Sequence, residues 1–127
     1  MTDNATMTIS ELAKAIITLA SEKNVMLVLA ESCTGGMIAA ALTDIAGSSA
    51  VLDRGLVTYS NQAKQDLLGV SDDILASYGA VSAETAIAMT TGALLKTPAA
   101  QLAASVTGIA GPGGGSQDKP VGLVHFS

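Results

Sequence analysis

A short stretch near the N-terminus decides the fold of this chain: VMLVLA at Val25–Ala30, followed directly by ESCTGG at Glu31–Gly36. The apolar run has the length of a strand and contains no polar residue, which is typical of a strand buried on both faces of a parallel sheet. The segment after it is rich in alanine, and we predict a helix over Gly35–Thr43. A buried strand that leads almost at once into a helix favours an α/β fold.

Four further helices are predicted from residues that favour helix ends. Thr8 with Glu11 forms a capping box, and glycine or proline follows each of the other three helices. The predicted helices cover residues 9–22, a segment capped by Asn61 and running through Leu68, a segment capped by Ser71 and running through Tyr78, and the longest helix, which begins at Ser82 and ends before Pro98.

Three further strands complete the predicted pattern. They lie near Gly55–Tyr59, at Leu102–Val106 and at Val121–Phe126, and Thr107–Lys119 forms a glycine-rich loop between the last two. Strands that alternate with helices predict a three-layer α/β sandwich with a mostly parallel sheet and helices on both faces. The sequence stops at Ser127 inside a predicted strand, so we expect the C-terminal part of the sandwich to be missing.

The size and composition of the chain limit its function. A length of 127 residues suits one domain, residues 1–127, with a disordered N-terminus at residues 1–7. The formal charge of −5 argues against non-specific nucleic-acid binding, which requires a basic surface. The single cysteine excludes an internal disulfide, and the longest apolar runs, Val25–Ala30 and Met37–Leu42, are too short to span a bilayer. We therefore expect a reduced, soluble, cytoplasmic protein without a nucleic-acid or membrane partner.

Three polar segments follow predicted strands. They are Glu31–Gly36, Thr58–Asn61 with Lys64, and Thr107–Gly115. In parallel α/β sheets, ligands bind beyond the carboxyl ends of the strands. Since each segment comes directly after a strand, the fold can bring all three together, and we place the candidate site there.

Ser32 is the first candidate nucleophile. It lies between the first strand and the following helix, where its hydroxyl would project from a sharp turn. The amides of Thr34, Gly35 and Gly36 lie near a helix start, carry partial positive charge and could hold an oxyanion or a phosphate. The alternative is that Ser32 or Thr34 only caps the helix. Cys33 is a rival nucleophile, although a free cysteine is usually a small buried hydrophobic residue.

A serine needs a base to attack an amide. The lone histidine, His125, lies in a predicted strand, where we expect a core or edge residue and not a catalyst. Lys64 and Tyr59 remain, and serine–lysine pairs are known variants of nucleophile and base. A lysine acts as a base only when uncharged, so burial or a nearby cation must lower its pKa. The alternative for Lys64 is a solvated side chain in the first turn of a short helix.

The loop Thr107–Gly115 contains five glycines. It is neither a Walker loop nor a dinucleotide fingerprint, because no Gly-Lys-Ser/Thr follows and the next predicted element is a strand. Its amides could surround a phosphate or a carboxamide, and the alternative is a flexible connection. With one histidine, one cysteine and scattered carboxylates, the sequence contains no evident set of metal ligands.

Several motifs in order resemble the CinA C-terminal family. They are AESCTGG at Ala30–Gly36, VTYSN at Val57–Asn61 with Lys64, GAVS at Gly79–Ser82, TGIAGP at Thr107–Pro112 with Gly114 and Gly115, and KPVG at Lys119–Gly122. The match is collinear over residues 9–127, which makes it far more specific than any single motif. Family members run on past a sequence like Val121–Ser127 into a further strand and helix, so any substrate contact from that part would be absent here.

The resemblance implies an α/β sandwich and the activity of the nicotinamide-nucleotide amidases in the family, which hydrolyse nicotinamide mononucleotide to nicotinate mononucleotide and ammonia. It implies Ser32 as nucleophile, activated by Lys64 with Tyr59, without a metal or an organic cofactor. It also implies a bacterial cytoplasmic protein that forms homo-oligomers. The alternative is a non-catalytic nucleotide-binding or regulatory module. The residues expected to contact the nucleotide are Thr34, Gly35, Gly36, Asn61, Thr107, Gly108, Gly111, Gly113 and Gly114.

Overall fold

The computed structural model describes residues 6–127, so the disordered segment predicted at residues 1–7 lies mostly outside the described residues. The described helices are α1 (Ile9–Glu22), α2 (Met37–Thr43), α3 (Asn61–Leu68), α4 (Asp72–Tyr78) and α5 (Ala83–Lys96). The described strands are β1 (Leu27–Glu31), β2 (Leu52–Val57), β3 (Leu102–Gly108) and β4 (Val124–Phe126). A 3₁₀ turn at Ser48–Ala50 precedes β2.

Every predicted element is present, although several ends differ from the prediction. The helix predicted from Gly35 begins at Met37, because Gly35 and Gly36 have φ values of +60° and +105°, which a right-handed helix excludes. The second strand begins at Leu52, earlier than predicted, and β4 is shorter because a turn occupies residues 121–122.

Hydroxyl side chains fix the starts of four helices. Thr8, Ser71 and Ser82 cap α1, α4 and α5 as predicted, each accepting a hydrogen bond from an amide three residues on. The predicted cap of α3 is wrong: Ser60, and not Asn61, accepts the amide hydrogen bond, at 3.0 Å. A cap of this kind contributes about 1 kcal/mol to helix stability.

The four strands form one sheet in the order β2–β1–β3–β4. β1 pairs in parallel with β2 and β3, and β4 is antiparallel to β3 at the edge. All five residues of β1 are buried, as the apolar run predicts for a central strand. This topology confirms the mostly parallel sheet.

Alternate residues of β1 enter two separate cores. Leu27 and Leu29 pack against α1 and α2 on one face. Val28 and Ala30 pack against α3, α4 and α5 on the other face, where Met89 is fully buried. Burial of a Leu or Met side chain contributes about 1.5–3 kcal/mol. The two cores confirm the three-layer sandwich with helices on both faces.

Some apolar surface remains uncovered on the α1 side of the sheet. An apolar groove of about 520 Å³ lies between α1 and β3, and Leu19 and Leu102 are among its lining residues. Phe126 of β4 is 80% exposed. No helix in residues 6–127 is long and apolar enough to cross a bilayer.

Candidate active site

The carboxyl ends of β1, β2 and β3 lie side by side at one edge of the sheet, as their parallel pairing requires. Two backbone hydrogen bonds join the segments that leave this edge. Ser32 N donates to the carbonyl of Val106 at 2.9 Å, and Thr58 N donates to the carbonyl of Glu31 at 2.8 Å. Ser32 therefore lies between the end of β3 and the residues that follow β2.

Ser32 and Lys64 are in direct contact. Lys64 Nζ lies 2.9 Å from Ser32 Oγ. Lys64 is only 1% exposed and Ser32 is 6% exposed. Lys64 lies in the first turn of α3, and the Ser60 cap fixes the start of this helix. The alternative of a solvated lysine is therefore wrong.

Two backbone carbonyls complete the surroundings of the lysine amine. Lys64 Nζ donates to the carbonyls of Thr58 at 2.9 Å and Tyr59 at 3.1 Å. An ammonium group has three protons, which these carbonyls and Ser32 Oγ together accept. The Ser32 hydroxyl itself donates to the Tyr59 carbonyl at 3.4 Å. A neutral amine has two protons for the two carbonyls, and its lone pair can then accept the Ser32 proton after the hydroxyl rotates toward it. The same positions of N and O atoms therefore suit both protonation states.

The surroundings of Lys64 favour its neutral form. Burial removes the ammonium from water and lowers the pKa of Lys64 below its ordinary value. A smaller electrostatic interaction with Cys33 acts in the opposite direction and raises the pKa of Lys64. The one ion pair in residues 6–127 joins Arg54 to Asp53, so no described carboxylate neutralises the lysine. The pKa of Lys64 is thus shifted in the direction that a base requires.

The turn after Ser32 offers fewer free amides than predicted. The amide of Gly35 donates to the Ser32 carbonyl at 3.0 Å and is therefore not available to a ligand. Within the described part of the chain, the amides of Thr34 and Gly36 have no acceptor. These two amides lie near the Ser32 hydroxyl in sequence and remain candidates for holding an oxyanion.

Glu31 caps α2, a role that was not predicted from the sequence. Its carboxylate is 1% exposed and accepts hydrogen bonds from Thr34 Oγ1 at 2.6 Å, Ile38 N at 3.0 Å and Ala39 N at 2.9 Å. The alternative that Ser32 or Thr34 caps this helix is therefore wrong. Glu31 lies six residues before the first residue of α2, so the general preference for anionic groups at helix starts did not identify it from spacing.

Tyr59 and Asn61 lie beside the pair in sequence, but their side chains are exposed. The contact of Tyr59 with Lys64 is made by its backbone carbonyl, whereas its aromatic side chain is 68% exposed. Asn61 is the first residue of α3. Both side chains face solvent in this structure, and their predicted roles with the base and the substrate stay predictions.

Thr107 is buried and already hydrogen-bonded. Its hydroxyl donates to the carbonyl of Ala80 at 2.7 Å, which ties the end of β3 to the segment between α4 and α5. The next residue, Gly108, lies against the Cys33 sulfur, and a Cβ there would be 3.0 Å from that atom. The Thr107 hydroxyl proton therefore has a partner within the protein, and the predicted contact of Thr107 with the substrate stays a prediction.

The remaining predicted glycines lie in the loop beyond β3. Gly111 is half-buried near Val121, whereas Gly113 and Gly114 are exposed. The loop is attached to the rest of the protein by Lys119, whose Nζ donates to the Tyr78 carbonyl at 2.5 Å. This loop leaves the same sheet edge as Ser32, and its exposed amides are accessible to a ligand.

The other candidate residues, Cys33 and His125, lie outside the serine–lysine pair. Cys33 is half-buried beside Gly108, so it is less enclosed than predicted. His125 pairs with Thr107 in the edge strand β4, which agrees with the expectation of an edge residue. Residues 6–127 contain no cluster of three His, Cys, Asp or Glu side chains that could hold a metal ion.

The fold and this site define a class of protein: a three-layer α/β sandwich with a buried serine–lysine pair at the carboxyl edge of its sheet. Comparison with known proteins identifies the family. The model of the CinA C-terminal domain matches residues 9–127. The chain therefore belongs to the CinA C-terminal domain family.

Three relatives illustrate the match. The nicotinamide-nucleotide amidohydrolase PncC of Escherichia coli K12 is 48% identical over 127 residues, which cover 100% of this chain and 74% of the relative. A CinA-like protein of Geobacter sulfurreducens is 57% identical over 113 residues, which cover 89% of this chain and only 27% of the relative. The crystal structure of the competence/damage inducible protein CihA from Agrobacterium tumefaciens has a TM-score of 0.87 and 58% identity, and the match covers 93% of this chain and 71% of that one.

Proposed function

We propose that this protein is an amidohydrolase that converts nicotinamide mononucleotide to nicotinate mononucleotide and ammonia. The observation that carries the proposal is the 2.9 Å contact between Ser32 Oγ and a buried Lys64 amine without a counter-ion among the described residues. The substrate is suggested by the name of the Escherichia coli relative, which is 48% identical along the whole of this chain.

The first half of the reaction forms an acyl-enzyme. Ser32 Oγ attacks the carboxamide carbon while neutral Lys64 accepts the hydroxyl proton. The carbonyl oxygen becomes an oxyanion, and the free amides of Thr34 and Gly36 are the candidates to stabilise it. The C–N bond then breaks, Lys64 returns its proton to the leaving nitrogen, and ammonia departs.

The second half of the reaction releases the acid. Water attacks the ester carbonyl on Ser32, and Lys64 accepts a proton from that water. The bond to Ser32 Oγ breaks, the proton returns to the serine, and nicotinate mononucleotide leaves. The Thr58 and Tyr59 carbonyls hold the lysine amine in place through both halves.

Removal of either partner tests this proposal. We expect Ser32→Ala and Lys64→Met to lower the rate of ammonia release from nicotinamide mononucleotide by at least about a thousandfold, because a nucleophile and its base act as a unit. Lys14→Met, which changes an exposed lysine of α1, is the matched control and should keep full activity.

Two results would count against the proposal. A folded Ser32→Ala or Lys64→Met variant with full activity would contradict the assigned roles. A wild-type protein whose melting temperature rises with nicotinamide mononucleotide, but which releases no ammonia, would instead support the non-catalytic binding module.

A further inference from the structure

The Glu31 carboxylate joins the end of β1 to the first turn of α2. Both of its oxygens are used, since one accepts hydrogen bonds from Thr34 Oγ1 and Ile38 N and the other accepts from Ala39 N. The carboxylate is buried, and its charge is balanced by amides at a helix start and not by a cation. The turn that contains Ser32 is therefore closed by a side chain from its own first residue.

The backbone around Ser32 is held on both sides as well. The Glu31 carbonyl accepts from Thr58 N at 2.8 Å, and Ser32 N donates to the Val106 carbonyl at 2.9 Å. Thr58 in turn supplies a carbonyl to Lys64 Nζ. Glu31 is thus covalently joined to Ser32, and it is linked to Lys64 through Thr58, which hydrogen-bonds to both residues.

We propose that Glu31 is a positioning residue that fixes Ser32 Oγ at the distance and direction from Lys64 that proton transfer requires. This inference rests on the proposed roles of Ser32 and Lys64. Glu31 does not touch the substrate, because its oxygens are buried and hydrogen-bonded within the turn. A displacement of about 1 Å in a reacting group can cost on the order of a hundredfold in rate. The two contacts to α2 amides are suited to prevent such a displacement.

Glu31→Gln is the sharpest variant, because the glutamine side chain has the same size but its NH₂ group cannot accept a hydrogen bond from Ala39 N. Thr34→Val removes the hydroxyl contact and leaves both amide contacts. Glu11→Gln, in the first turn of α1, is the matched control. All three variants are compared with wild type after circular dichroism and thermal melting have shown that they are folded.

The first readout is the rate at which a fluorophosphonate labels Ser32, followed by intact mass. The second is kcat and KM for nicotinamide mononucleotide. For Glu31→Gln we expect labelling and kcat to fall by about ten- to a hundredfold, with KM within about threefold of wild type. Thr34→Val should show a loss of about threefold, and Glu11→Gln should match wild type. A purely structural role would lower the melting temperature without changing kcat in the folded protein.

The outcomes separate this inference from the proposed function. Folded Glu31→Gln that labels at the wild-type rate overturns the positioning role. If Glu31→Gln does not fold, Thr34→Val becomes the deciding variant. A wild-type labelling rate in Thr34→Val then overturns the positioning role of Glu31. A wild-type protein that labels at Ser32 but releases no ammonia overturns the proposed substrate alone, whereas one that does neither overturns the serine–lysine chemistry and the role of Glu31 with it.

Discussion

Two glycine-containing segments leave the same edge of the sheet, and they are built in opposite ways. The nucleophile turn (Glu31–Gly36) is closed by hydrogen bonds that the Glu31 carboxylate accepts from Thr34 Oγ1 and the Ser32 carbonyl accepts from Gly35 N. The glycine loop (Ile109–Lys119) is largely exposed, since residues 112–118 all face solvent. Similar composition thus gives a fixed segment at one strand end and an open one at the next.

The difference indicates a division of roles. Chemistry needs reacting atoms held within a fraction of an ångström, which the nucleophile turn can supply because its polar groups are paired within the protein. A ligand needs accessible backbone amides that can adapt to it, which exposed loops supply. Under the proposed function, the nucleophile turn would carry bond breaking and the glycine loop would enclose the substrate.

The largest effect is expected in the pH dependence of the free energy of unfolding, because Lys64 is buried beside the nucleophile turn. Burial lowers the folded-state pKa of Lys64. Between that pKa and about 10.4, the unfolded chain therefore binds one more proton than the folded protein, and stability rises with pH. We expect the free energy of unfolding of wild type to gain up to about 1.4 kcal/mol per pH unit over Lys64→Met within this window, measured by urea titrations at a series of pH values.

The contributions of the other ionisable groups to the pH dependence cancel in this comparison, since wild type and Lys64→Met share those groups. Below the folded-state pKa of Lys64, the gap between the two proteins should stay constant. A gap that is constant from neutral pH to pH 10 would contradict the cost of burial.

Paired glycine substitutions give the next largest effect. Gly36 in the nucleophile turn has φ of +105°, so Gly36→Ala should lower the free energy of unfolding by about 1–2 kcal/mol. Gly113 in the glycine loop has no positive φ and no close neighbour, so Gly113→Ala should leave stability unchanged or raise it by up to about 1 kcal/mol. Chemical denaturation of both variants measures the difference. Equal effects would contradict the different backbone conformations of these two glycines.

The fold could largely be predicted from the sequence because its signals are local. The apolar run at Val25–Ala30 identified the central strand, and Thr8, Ser71 and Ser82 marked three helix starts correctly. Errors arose where neighbouring residues offered the same chemistry. Ser60 and Asn61 are both good capping residues, and only the observed backbone shows which one precedes the helix.

The site could be predicted only in part. The sequence placed Ser32 and Lys64 each after a predicted strand, but the burial of Lys64 and its contacts with two backbone carbonyls depend on how α3 packs on the sheet. The capping role of Glu31 was not predicted for the same reason, because its carboxylate meets the amides of Ile38 and Ala39 only in the folded turn. Side-chain direction after a tight turn does not follow from spacing.

The most direct measurement is an NMR titration of the protein labelled with ¹³C at lysine Cε, with the Lys64 signal assigned from its loss in Lys64→Met. We predict that this signal titrates at clearly lower pH than the signals of the other lysines. A Lys64 signal that titrates together with the exposed lysines, near about 10.4, would contradict the claim that this amine serves as the base for Ser32.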